Sequence, residues 1–152
     1  MKERKYQELA LRFSALCEGE TDAVANMGNL AALLREAFNF WWTGFYLVQG
    51  KELVLGPFQG PVACTRIPFG KGVCGTCWES ASSILVPDVH AFPGHIACSA
   101  VSASEIVVPL LQQGAVIGVL DVDSEHLSHF DDVDRQGLEE LAALLVKHSH
   151  FR

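Results

Sequence analysis

The chain reads as an α+β fold, helices packed on a mostly antiparallel sheet, in a single domain over residues 1–152. Three observations predict it. An amphipathic helical period occupies residues 2–37, aromatic and β-branched runs punctuated by glycine replace it from Trp41, and a helical period returns near the C-terminal end. A chain of 152 residues supplies one core, burying about 70% of the surface its unfolded form exposes. No internal repeat, low-complexity stretch or linker-like shift in composition argues for a second domain.

The elements follow in order. From Lys2 to Cys17, Leu9, Leu11, Phe13 and Leu16 lie among charges, the pattern of a surface helix that Gly19 ends. Thr21 or Asp22 is the N-cap candidate for a second helix through Met27, Leu30, Leu33, Leu34 and Ala37. Trp41 to Val48 and Glu52 to Leu55, broken at Gly50, read as a hairpin. A strand is expected over Ala63–Ile67, a short helix over Gly72–Glu79, and a short strand over Ser83–Val86, closed by Pro87. Asp88 to Ser104 is too long for a plain connection and reads as a structured functional loop. Glu105–Leu111 and Val116–Val122 form a hairpin around Gln113-Gly114, and Leu138–Lys147 closes the chain as a helix.

Composition excludes some functions. A formal charge of −7, with only eleven scattered Lys and Arg, does not supply the basic footprint that nucleic acid requires. No apolar run reaches the length of a membrane span, and the charged start Met1-Lys-Glu-Arg-Lys is not a signal peptide. The expectation is a soluble protein in a cytoplasmic, reducing compartment, where clustered cysteines point to catalysis, redox sensing or metal binding.

Cys64, Cys74 and Cys98 are each framed by glycines, small residues and turn signals, so they look presented for chemistry. Cys17, on the apolar side of the first helix, reads as a small packed hydrophobe. Asp121 and Asp123 are two apart in a strand, so both carboxylates share a face with Cα atoms about 6.6 Å apart. Glu105 opens the neighbouring strand and is placed to join them. Trp42, Gly44 and Tyr46 alternate likewise, presenting two aromatic walls with a gap between them. His90, His95, His126 and His129 are read as turn caps or solvent-facing, with His90 and His95 shaping the loop that carries Cys98. Phe69-Gly-Lys-Gly72 lacks the glycine spacing and terminal Lys-Ser/Thr of a phosphate loop.

The motifs WTGFYL, LGPFQG, ACTRIPFGKGVCGT, DVHAFPGHIACSA, SEIVVPL and GVLDVDSEHLSHFDDVD, in this order and spacing, resemble the free methionine-(R)-sulfoxide reductases of GAF fold over nearly the whole chain. A general GAF domain shares the elements but not the three cysteines. The resemblance implies thiol-dependent reduction of free methionine sulfoxide, with Cys98 as the attacking residue, which becomes a sulfenic acid. It implies Cys64 and Cys74 as the residues that resolve the sulfenic acid into a disulfide. It also implies Glu105, Asp121 and Asp123 in catalysis and substrate binding, and Trp42 and Tyr46 as a substrate cage. The chemistry agrees: a soft nucleophile attacks sulfur while an acid protonates the departing oxygen, and three crowded carboxylates keep one proton available. The partners implied are free methionine sulfoxide and thioredoxin or a similar dithiol, with a homodimer allowed; no cofactor and no metal are expected.

Two positions depart from the family pattern. Cys77 stands where alanine is common and makes a CxxC with Cys74, and Ser99 stands where an acidic residue is common. Which cysteine resolves Cys98 stays open, as does a role for Cys77 as an extra shuttle. A zinc site of Cys74, Cys77, His95 and Cys98 has the right ligand types but no familiar spacing. The alternative function is a GAF small-molecule or redox sensor that binds without turnover.

Overall fold

The computed structural model describes residues 1–96 and 101–151. Two helices, α1 (Lys2–Leu16) and α2 (Ala23–Phe38), precede β1 (Trp42–Gln49), β2 (Glu52–Gln59) and β3 (Arg66–Pro68). Then follow α3 (Gly72–Ser80), β4 (Ile84–Val86), β5 (Ser104–Gln112), β6 (Ala115–Ser124) and α4 (Asp132–His148). The strands form one six-stranded sheet of order β3-β2-β1-β6-β5-β4, antiparallel at every pairing. No described helix is long and apolar enough to cross a membrane.

Strand alternation divides the interior in two. Phe45, Ile106, Val108, Leu110, Leu120 and Val122 face the helical layer, where they pack with Phe13, Met27, Leu30 and Leu34 of α1 and α2 and with Leu138, Leu141 and Leu145 of α4. The other parity carries Trp42, Tyr46, Val107 and Val119, which pack with Val73, Cys74 and Cys77 of α3. A two-residue side-chain period thus gives each strand one face for the helical core and one for α3.

Asp22 caps α2 as expected, accepting from the Ala25 N–H at 3.0 Å. The last helix begins at Asp132, six residues before the expected Leu138. Its first turn is acidic and carries little apolar signal, yet a capping box holds it: Asp131 accepts from the Asp134 N–H, and Asp134 accepts from the Asp131 N–H at 2.9 Å. The buried Asp134 also accepts from Tyr6 at 2.7 Å and from Lys2 at 2.8 Å, tying α1 to the start of α4.

The strand expected over Ala63–Ile67 is displaced to Arg66–Pro68. Cys64 instead sits in irregular chain, where its carbonyl accepts from the Tyr46 hydroxyl at 2.8 Å. The helix and strand patterns around it are otherwise as read, with β2 four residues longer because Gly56 and Pro57 do not end it. The long loop contains a 3₁₀ turn at Val89–Ala91 whose Asp88 side chain caps the His90 N–H.

Candidate functional site

Sheet register assembles the site. On the face that carries α3, Trp42 lies opposite Asp123 and Gly44 opposite Asp121, while Glu105 lies opposite Asp123 from the other side. Three adjacent strands therefore bring Trp42, Glu105, Asp121 and Asp123 together although they span more than half the sequence. α3 closes over them, and Cys74 Sγ, a Glu105 oxygen and an Asp121 oxygen lie within 4.8 Å of one another. A cleft opens onto this group, bordered by Trp41, Ala63, Gly72, His95, Ile96 and Ser102.

The aromatic residues correct one expectation. Trp42 and Tyr46 have ring centroids 6.1 Å apart and planes 23° apart. A guest layer between two rings needs about 7 Å, twice an optimal carbon contact. The rings form one continuous wall, extended by Phe58 stacked on Trp42 at 5.2 Å. Trp42 is pinned by its indole N–H, which donates to the Pro61 carbonyl at 3.0 Å. Gly44 is required here, because a Cβ would overlap the Phe58 side chain and come 2.9 Å from the Trp42 ring.

Burial sets the protonation of the acidic group. It pushes the Glu105 carboxyl well above its ordinary range, and the nearby Asp121 and Asp123 charges push it further. Asp121 is raised by burial too, although hydrogen bonds offered by Glu105 and Cys74 hold it down in part. Asp123 is raised by burial and then by Asp121, and Ser102 donates to it at 3.3 Å. The Cys74 thiol is driven well up by burial and by the three carboxylates, so it stands as a neutral thiol. This corrects the picture of Cys74 as a presented nucleophile: it is a buried residue of α3 whose thiol meets the cleft floor.

Cys64 is held in a disulfide, whereas Cys17, Cys74 and Cys77 are free thiols. Cys17 packs in the helical core as read. Cys77 is fully buried in the second core, its thiol pushed up to about 12 by burial. Among the described residues the ligating atoms that cluster are those of Cys74, Glu105 and Asp121; the zinc set weighed from the sequence includes Cys98, which lies outside them. Cys98, like Ser99, lies outside the described residues.

The histidines divide. His90 is exposed as expected, but His95 lines the cleft and burial lowers its pKa. His129 is half-buried, with Nδ1 2.6 Å from Ser124 Oγ and its ring tilted against Phe130. Sequence reasoning passed over Phe58, Ser102 and Ile96. Phe58 sat in a quoted motif whose role no local pattern revealed, and Ser102 in a run of small residues without a distinguishing signal.

Fold and site define a GAF domain, and residues 27–146 match the GAF domain family. The chain is 50% identical over 143 residues to the free methionine-R-sulfoxide reductase of Escherichia coli, covering 93% of this chain and 87% of that enzyme. It is 42% identical over 160 residues to the enzyme of that name in Saccharomyces cerevisiae, covering 99% and 89%. A crystal structure of the free methionine-R-sulfoxide reductase of Neisseria meningitidis with its substrate superimposes with a TM-score of 0.95 at 55% identity, covering 97% of this chain and 90% of that one. The chain belongs to the free methionine-R-sulfoxide reductase family of GAF-domain proteins.

Proposed function

We propose that this chain reduces the R-epimer of free methionine sulfoxide to methionine with its own thiols and no bound cofactor. The observation that carries the reading is the buried pair Glu105 and Asp121, with the half-buried Asp123, beside an aromatic wall and Cys74. An ionised carboxylate there holds the substrate ammonium, a protonated one donates to the sulfoxide oxygen, and the Trp42–Tyr46 wall receives the methyl-sulfur end.

Cys98 is the nucleophile of this mechanism. In the sequence it falls between Ile96 and Ser102, and these two described residues border the cleft. The Cys98 sulfur attacks the substrate sulfur, the oxygen passes to the cysteine as a sulfenic acid, and methionine leaves. Cys64 then attacks the sulfenic sulfur, releasing water and forming a disulfide. The disulfide at Cys64 and the free, neutral thiol at Cys74 support Cys64 as the resolving residue over Cys74. A thioredoxin-type dithiol restores both thiols by exchange, becoming a disulfide itself.

A thioredoxin-coupled assay of NADPH consumption with free methionine sulfoxide tests the reading. Many turnovers per chain are expected. Saturable binding without turnover would instead identify a sensor.

A further inference from the structure

The cluster of Cys74, Glu105 and Asp121 unites a thiol with two carboxylates, a ligand set that an ammonium group does not require. Asp121 is only 6% exposed, yet no permanent donor among the described residues reaches its Oδ1, and the hydrogen bonds it receives come from the ionisable Glu105 and Cys74. Carboxylates and thiolates accept only, so this oxygen gains a donor solely while Glu105 or Cys74 keeps its proton. No lysine or arginine borders the cleft among the described residues. A buried carboxylate beside two other potential anions, with no described lysine or arginine bordering the cleft, is complementary to a small positive ion.

We infer that Cys74, Glu105 and Asp121 form a binding site for a zinc-class divalent cation, which occupies the cleft floor as an inhibitor competing with substrate. One sulfur and two carboxylate oxygens suit zinc and cobalt; magnesium and calcium favour six or more oxygens. Zinc bond lengths place tetrahedral S and O ligands about 3.4–3.6 Å apart. The three atoms lie within 4.8 Å of one another, so modest side-chain rotation closes the site. Three protein ligands leave the fourth position facing the open cleft, for water. Binding displaces the protons of Cys74 and of the carboxyls and changes no oxidation state. The inhibitory half of this inference rests on the proposed reaction, because the same carboxylates hold the substrate ammonium there; the site itself does not.

Cobalt(II) added to the oxidised full-length protein, without reductant, tests the site, because Cys64 is then held in its disulfide and a cobalt–thiolate charge-transfer band reports the remaining thiols. The band should saturate at about one cobalt per chain and be absent in Cys74→Ser. Glu105→Gln and Asp121→Asn should each weaken cobalt binding by at least about tenfold. Cys77→Ala should leave it unchanged within about twofold, as expected of a thiol outside the ligand set. Circular dichroism confirms that each variant is folded, and the two carboxylate variants decide the matter if Cys74→Ser is not. No band in the parent protein, a band that persists in Cys74→Ser, or full affinity in both carboxylate variants overturns the site. In the turnover assay zinc should raise the apparent KM for methionine sulfoxide and leave kcat unchanged; a pure kcat effect overturns the competition. Failure of the metal-free enzyme to turn over would sink the reductase reading alone, since the cobalt titration uses no substrate.

Discussion

Replacing Glu105 by Gln should make the protein more stable and much less active, and the size of each effect follows from the carboxylate cluster. Glu105 is buried, and its carboxyl is raised from an ordinary value of 4.5 by burial and by its acidic neighbours. The folded state therefore holds the proton more tightly than the unfolded chain. Glu105 accordingly contributes its full stability below the unfolded value, and that contribution is lost as pH rises from there through the raised folded value. A glutamine has no such proton to lose. With Glu105 and Asp121 oxygens within 4.8 Å, two ionised carboxylates repel by about 3 kcal/mol at an effective dielectric of about 20. The advantage of Glu105→Gln over the parent should be small at about pH 4 and grow toward that figure with rising pH, or about 6–12 °C in Tm for a domain of this size. The amide cannot deliver a proton to the sulfoxide oxygen, so kcat/KM should fall about 10²–10⁴-fold, or about 3–5 kcal/mol of transition-state stabilisation. Calorimetric melts across a pH series and the thioredoxin-coupled assay check both. A Tm difference that does not grow with pH, or activity within tenfold of the parent, would refute the reasoning.

Other outcomes follow from the same geometry. Cys98→Ser should form no methionine even in a single turnover, whereas Cys64→Ser should form about one methionine per chain and then stop; the reverse pattern exchanges their roles. An N-acetylated substrate lacks the ammonium that the carboxylates would pair, so its kcat/KM should be at least about thirtyfold lower than that of the free amino acid; equal values contradict the pocket. Gly44→Ala forces a methyl onto Phe58 and Trp42, which should cost about 1–3 kcal/mol of stability and raise KM through the displaced wall. An unchanged melting temperature would show that the close approach is not rigid.

The sequence by itself determined most of the secondary structure and one half of the site's logic. The period of three to four in α1 and α2, the cap at Asp22 and the glycine-punctuated strands are local signals, carried by neighbours in the chain. The i, i+2 spacing of Asp121 and Asp123 required a shared face before any fold was known, and the motifs carried the resemblance that the relatives sustain. What sequence could not decide depends on partners distant in the chain. The start of α4 was missed because its capping box engages Tyr6 and Lys2 rather than an apolar stripe. Ala63–Thr65 looked extended, but the pairing with β2 ends in a single bond from the Leu55 N–H to the Thr65 carbonyl, and Tyr46 holds the Cys64 carbonyl beyond it. Whether Trp42 and Tyr46 were two walls or one turned on ring orientation, and whether Cys74 was a thiolate or a neutral thiol turned on its burial between α3 and the sheet beside three carboxylates. Alternation assigns a side chain to a face of its strand; only the register of β1, β6 and β5 assembles those faces into a site, because charge, burial and proton affinity are properties of the assembled neighbours.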